Sequence, residues 1–498
     1  MVGLAVTALL ELIARFAGGH GSWSARPSKQ GLLGTGSFSK GADLFAAIDA
    51  YVTREMHAVR APGVGLVIVR GDRVEYSRGF GVAGPDGRPV TPQTPFILGS
   101  LTKSFTALAV MQLVDARQIA LDAPVQRYLS WFRVRDPLAS ARITVRHLLN
   151  HTSGIPTSAG MLLVRGSRAA TSAEQAGLIR RVRLVDAPGG AFVYSNANYW
   201  LLGLIIESVT HSSYEVYVKE HILTPLHMRD SFTSEREARA HGLAQGYRVW
   251  FGFPRPEDLP FYARELSVGY LISSPQDMGK YLEAHLNGGR YQGDSIISAA
   301  GLAALHTAPP GKPYAMGWLV DTIAGTPILW HTGAVANYHC DMLLIPDAHV
   351  SAAIFANVNN FLLETQFSET IKEIAALLLG FEPPRRSMIR YRETYWIITL
   401  ASCLWVFWRA YQVATLRRWR RDGQGPDANG AIAWRPPRIA ILLDPGVSLG
   451  LVLGVPIILG SPLSTLRWFV PDLTYWLILN VVVSAAIAMG RLAVARAR

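Results

Sequence analysis

Strand-like runs stand at two widely separated places in this 498-residue chain, with mostly helical patterns between them. GVGLVIVRGDRVEYSRGFGVAG, residues 63–84, reads as two β-rich runs hinged at Gly71-Asp72, a hairpin signal. GWLVDTIAGTPILWHTG (317–333) and MLLIPDAHVSAAIFANV (342–358) supply the second group. Before the first, Leu44–Val59 has helical spacing, and residues 101–300 are mostly helical patterns with loops. Short strands cannot stand alone in water, so the two groups must meet. The expected fold is α+β: one mixed sheet built from both chain ends, flanked by helices, with a helical subdomain between. The globular part runs over residues 38–383, and no internal repeat is visible.

The tail has a different composition. Three apolar runs, 394–408, 439–460 and 473–489, read as transmembrane helices; the first and third are slightly short of the roughly 20 residues a bilayer needs, and the first helix is taken over 394–413. Asp444 interrupts the second unless that helix starts at Pro445. Arg417, Arg418, Arg420, Arg421, Arg435 and Arg438 lie between the first two runs, and Arg491, Arg496 and Arg498 end the chain. The positive-inside rule makes both places cytoplasmic, so residues 1–383 are expected outside, on a multi-pass protein of the inner or plasma membrane. Arg385, Arg386, Arg390 and Arg392, before the first run, pull the other way. The formal charge of +12 therefore reflects membrane topology and not a nucleic-acid partner. Residues 1–22 resemble a signal peptide or anchor, with a short apolar stretch broken by Glu11. Cys340 and Cys403 are too few for a disulfide framework.

FILGSLTKSF, residues 96–105, places Ser100 three residues ahead of Lys103 where an apolar helical run begins. Residues three apart share a helix face, so the amine can reach the hydroxyl. Serine is a poor nucleophile unless a neighbour takes its proton, and lysine is a base only if burial or nearby cations depress its pKa. Alone, the pair fits equally well a serine at a helix start and a surface lysine. Two other stretches change the balance. FVYSNANYWLLGLIIE (192–207) sets Tyr194 and Asn196 before a strong apolar helix, and ILWHTGAVANYHCDMLLIPD (328–347) sets His331, Thr332 and Gly333 at the end of a strand-like run.

With these three stretches in this order, the chain resembles the serine β-lactamase and penicillin-binding-protein superfamily, in its class C-like branch. ITVRHLLNHTSGIP (143–156) and GYLISSPQDMGKYL (269–282) look like the same family, and the resemblance covers roughly residues 38–365. It implies that Ser100 attacks and is acylated, that Lys103 and Tyr194 form the proton relay with the tyrosine as a phenolate-like base, and that the backbone N–H groups of Ser100 and Ala334 form the oxyanion hole. It also implies that Asn196 holds Lys103 and a substrate amide, and that His331, Thr332 and Gly333 bind substrate. Asn337 and His339 are further candidates for the pocket lining. His151 reads as a turn brace and Cys340 as core. His331 departs from the β-lactamases, which carry lysine there. A histidine is mostly neutral at pH 7, so carboxylate-bearing β-lactams are expected to be poor substrates. No histidine or carboxylate cluster has zinc spacing, so neither a metal nor a cofactor is expected.

A serine peptidase domain followed by membrane spans also resembles the prodrug-activating peptidases of nonribosomal peptide pathways, of the colibactin-maturation type. Three functions stay open: a membrane-anchored peptidase that removes an N-acyl-D-amino-acid leader from an exported peptide, an esterase or cell-wall D,D-peptidase-like hydrolase, and a non-catalytic membrane sensor. The expected partners are a small acylated peptide or ester and the membrane lipid. The sequence leaves the oligomeric state open.

Overall fold

The structure is a computed structural model. It describes residues 26–27, 41–160, 172–382, 391–422, 448–450, 452–456 and 463–496. The expected N-terminal signal or anchor, 1–22, lies outside them, as does Asp444. The described residues fall into two compact units, one taken from 23–387 without 249–253, the other from 388–498 with 249–253.

The first unit is organised by a seven-stranded sheet. Its strands are β1 (Gly63–Arg70), β2 (Arg73–Gly81), β3 (Tyr314–Ala315), β4 (Trp318–Ile323), β5 (Thr326–Val335), β6 (Tyr338–Ile345) and β7 (Val350–Ala356), in the spatial order β3-β4-β5-β6-β7-β1-β2. The two chain ends join where β7 pairs with β1, Val350 opposite Arg70 and Ala356 opposite Val64. The sequence reading expected a mixed sheet; the sheet is instead antiparallel at every pairing. For five of the six pairings the reason is local, because the strands are consecutive and joined by short turns, whereas a parallel pair would need a crossover of a dozen or more residues; the direction of the β7–β1 pairing is set by the fold. Gly71, at φ +63, makes the first turn as its Gly-Asp signal predicted. The central strands β1, β6 and β7 are buried almost throughout, which explains their largely apolar runs, although β6 also buries His339 and Asp341.

Helices cover both faces. Gly41–Val59 (α1) and Phe361–Leu378 (α5) pack on one side, α5 against β6 and β7. On the other lies Pro275–Leu286 (α4), against β1 and β7, started by Ser274, whose hydroxyl accepts from the Asp277 N–H, and by Pro275 in the first turn. The helical subdomain is built around Thr102–Asp115 (α2) and Asn196–Thr210 (α3), which pack on one another. α2 is buried nearly all round, polar Thr102, Lys103, Ser104 and Thr106 included. A helix without a wet face is a core helix, and here it carries its polar side chains inward with it.

Among its described residues the second unit has two long helices, Tyr391–Asp422 (α6) and Pro471–Arg496 (α7), with the short helix Leu463–Phe469 just before the latter. Within them Tyr395–Ala414 and Pro471–Ala493 are long and apolar enough to cross a membrane. Three such helices were expected. Of the middle candidate, 439–460, only 448–450 and 452–456 are described, as helix, and the rest lies outside the described residues.

Candidate active site

Ser100 sits in a single 3-10 turn, Gly99–Leu101, that leads directly into α2. Lys103, one turn on, is completely buried. Its Nζ is 2.9 Å from Ser100 Oγ and donates to the Val268 carbonyl at 2.8 Å. Burial lowers the lysine pKa to about 7, and buried Glu265 opposes the shift without cancelling it. Desolvation alone therefore prepares this amine; no neighbouring cation is needed.

Tyr194 lies beside the pair, its ring centroid 5.1 Å from Lys103 Nζ. Burial pushes its phenol up, and the hydrogen bond with Ser100 only partly offsets that. The tyrosine is thus held as a neutral phenol, opposite in direction to the phenolate-like base expected from the resemblance. Asn196 opens α3 close by, but its Oδ1 is buried with no hydrogen-bond partner, and the contact to Lys103 expected of it is made by the Val268 carbonyl instead.

The strand β5 closes the site from the other side. A Cβ on Gly99, whose φ is +57, would lie 2.4 Å from the Ala334 nitrogen, and one on Gly333 would lie 2.0 Å from the Leu98 carbonyl oxygen. Two glycines facing each other let the turn and the strand approach backbone to backbone, which brings the Ala334 N–H beside the Gly99–Ser100 peptide. A Cβ on Gly269 would lie 3.5 Å from the Gly99 carbonyl carbon, so the 269–282 stretch reaches the same turn.

His331 is buried, and its Nδ1 lies 2.6 Å from the Thr332 carbonyl oxygen. A carbonyl only accepts, so the proton is on Nδ1 and Nε2 accepts from the Tyr314 hydroxyl at 3.0 Å. Burial, with Lys103 adding to it, lowers the pKa to about 3. This position carries a neutral ring across the physiological range.

Other candidates fall elsewhere. Thr332 is on the far face of the sheet from His331, its hydroxyl 3.4 Å from Ser368, so it offers the site only backbone. Asn337 donates its amide to the Glu257 carbonyl at 3.1 Å and thereby holds a neighbouring segment instead of lining the pocket. His339 also faces away, stacked on Phe367 of α5. Cys340 is core, its thiol against the Ile97 carbonyl. His151, at φ +54, accepts from the Ser195 N–H at 3.2 Å and the Asn198 amide at 2.9 Å, bracing the turn ahead of α3. Its ring packs 4.4 Å from Tyr194 and 4.8 Å from Tyr314. Val268 and Tyr314 were missed from the sequence: one acts through a carbonyl that any residue has, the other through a contact between strands. Among the described residues no group of three or more His, Cys, Asp or Glu side chains is placed to hold a metal ion.

Comparison with known proteins bears on the family and the fold. The family model described as Beta-lactamase matches residues 48–369. Protein flp of Staphylococcus aureus strain MW2 is 28% identical over 318 residues, 63% of each chain, so the match spans less than two thirds of that relative's length. A protein of Aspergillus campestris named Unguisins hydrolase ungD' is 29% identical over 318 residues, 59% of this chain and 58% of its own. Among solved structures, the octameric penicillin-binding protein homologue from Pyrococcus abyssi superposes with a TM-score of 0.59 at 30% identity, over 68% of this chain and 78% of that one. A class C beta-lactamase superposes with a TM-score of 0.58 at 19% identity, over 67% and 96%, a likeness of fold.

Proposed function

Since the chain belongs to the β-lactamase family and has its fold, we propose that it is a serine hydrolase anchored in a membrane, and that it cleaves a small acylated peptide through a Ser100 acyl-enzyme. The observation that carries this reading is the 2.9 Å approach of a buried, near-neutral Lys103 to Ser100. In the proposed reaction the Ser100 hydroxyl passes its proton to the Lys103 amine as Oγ attacks the scissile carbonyl. The N–H groups of Ser100 and Ala334 stabilise the oxyanion, a contribution for which losing one donor costs roughly 10²–10³ in rate. The carbonyl–nitrogen bond then breaks, and the proton reaches the leaving amine through the neutral Tyr194 phenol. Water then attacks the ester, Lys103 takes a proton from it, and that proton passes to Ser100 Oγ as the ester bond breaks, which restores both groups.

The substrate class we favour is an N-acyl-D-amino-acid leader on an exported peptide. A lipid-tailed substrate partitions into the bilayer, and the two apolar helices would keep the enzyme there, with the catalytic domain on the extracytoplasmic side. The second reading, a broader esterase or cell-wall D,D-peptidase-like hydrolase, draws on neutral His331, which does not demand a carboxylate in the substrate.

The test uses full-length protein in detergent with N-myristoyl-D-asparaginyl amide, its L-isomer and a butyrate ester, and Ser100→Ala as control. Selective, Ser100-dependent release of myristoyl-D-asparagine is the expected result. Ester turnover without it would remove the leader-peptidase reading and leave the general hydrolase.

A further inference from the structure

A second charged cluster lies on the opposite face of the sheet, directly behind the strand that carries Ala334. In the register of β5 with β6, Thr332 stands opposite Asp341 and Ala334 opposite His339. Residues directly opposite share a face. His339 and Asp341 are buried, with Nε2 2.8 Å from Oδ2. The His339 ring is stacked on Phe367 of α5, centroids 5.1 Å apart. Ser368, one residue on, has its hydroxyl 3.3 Å from Asp341 Oδ1 and 3.4 Å from Thr332 Oγ1. The Asn359 amide nitrogen donates to the Val335 carbonyl at 2.8 Å and to Glu364 Oε1 at 3.1 Å. Glu364 completes the cluster, close enough for its charge to act on both His339 and Asp341.

A buried ionic group is costly unless paired, and apolar side chains would fill the space behind a strand at less expense. The tethers here are placed around one residue. Thr332, two before Ala334, and Val335, one after it, are both tied through this cluster to α5, while Gly333 between them lies against the Ser100 turn. Burial works against charge on His339, yet the Asp341 carboxylate and its hydrogen bond, with Glu364, hold the imidazole pKa above its ordinary value.

We propose that the His339–Asp341 pair, with Ser368 and Asn359, is a positioning device that fixes the Thr332–Val335 segment from behind so that the Ala334 N–H points at the oxyanion. It rests on the proposed role of Ala334. His339 touches no reacting atom and acts through the strand. A displacement of about 1 Å in an active site costs roughly 10²-fold in rate, so loosening this segment should appear in kcat.

The experiment compares full-length His339→Phe and His339→Gln in detergent. Phenylalanine keeps the stack on Phe367 and leaves Asp341 without its partner; glutamine keeps a donor for Asp341. The readouts are kcat and KM for the butyrate ester, the inhibition constant of a boronic acid that adds to Ser100 and sets an oxygen in the oxyanion site, and thermal stability. His339→Phe should lower kcat by roughly 10–100-fold with KM nearly unchanged. Boronate affinity should fall by the same factor, and His339→Gln should recover most of both. Asp341→Leu, which removes the acceptor for His339 and is expected to behave like His339→Phe, serves if the latter does not fold. A variant that melts earlier but keeps kcat and boronate affinity within about twofold, or a glutamine no better than phenylalanine, would overturn the proposal in favour of simple support of the fold. Ser100→Ala run alongside separates the two levels. Turnover retained there overturns the Ser100 reading. Turnover lost there with His339→Phe unaffected overturns only the positioning role.

Discussion

Lys103 Nζ stands 2.9 Å from Ser100 Oγ and 2.8 Å from the Val268 carbonyl oxygen, and the lysine has no surface exposed to solvent. The carbonyl can only accept, so one N–H is committed to it. When the amine is neutral, its lone pair is left for the serine hydroxyl. Burial favours the unprotonated nitrogen, and the geometry aims that nitrogen at the nucleophile.

The pH dependence follows from that. With Lys103 brought down to about 7, the competent neutral fraction falls as pH drops below 7. Ester kcat/KM should lose about tenfold for each pH unit below that point and level off above about pH 8. A profile from pH 5 to 9 checks it, and a rate still level down to pH 5 would exclude Lys103 as the base.

Stability should carry the same signature with a definite sign. The folded enzyme holds the amine near 7 and the unfolded chain near 10.5, so between these values only the unfolded chain keeps the proton. This group therefore makes the protein more stable as pH rises from 7 to 10.5, and its full penalty is present below 7. Lys103→Met has no proton to bind. Its melting temperature relative to the natural protein should be most favourable at pH 6 and decline toward pH 9.5, which thermal melts at three pH values would measure.

Tyr194→Phe separates the two proton carriers. If the neutral phenol only relays a proton, its loss should cost roughly 10²-fold or more in kcat while the acidic limb near pH 7 stays in place. A limb that disappears with the hydroxyl would return the base role to the tyrosine.

His331 offers no cation at any pH above about 4, because its pKa lies near 3. A charge-assisted hydrogen bond is worth about 1.5–3 kcal/mol, or roughly 10–100-fold. Penicillins and cephalosporins, which carry a carboxylate, should be hydrolysed at least that much less efficiently than a neutral ester. Comparable kcat/KM values would mean that another cation serves them.

Gly333→Ala should be far more damaging than an ordinary one-methyl change. Its Cβ would meet the Leu98 carbonyl oxygen at 2.0 Å, and relief requires β5 to move away from Ser100. Overpacking of this kind costs about 1–3 kcal/mol in stability. Labelling of Ser100 by a fluorophosphonate probe should fall much further than stability does, because the strand carries the Ala334 N–H. Full labelling would show that the strand has room to give.

The strand pattern made the α+β organisation legible, and the Gly71-Asp72 hinge marked its hairpin, because turn chemistry and alternation act over a few residues. The direction of the β7–β1 pairing was not legible, since it depends on how the two chain ends meet. Ser100, Lys103 and Tyr194 could be selected from three short stretches as candidates for one site, and the fold brings them together. Thr332 stood beside His331 in the third motif, and Asn337 and His339 followed it closely enough to be further candidates for the pocket lining. They differ because a strand alternates its faces and because Asn337 meets the Glu257 carbonyl.

The sequence by itself determined the family, the order of the strands along the chain and the residue types available for acyl transfer, all of which reside in local pattern and composition. Only the tertiary structure decided their chemical states. Lys103 becomes a base because a helix without a wet face carries it out of water, and His331 stays neutral because it is buried beside Lys103 and Tyr314. Desolvation depends on everything packed around a group, and no short stretch of sequence contains that information.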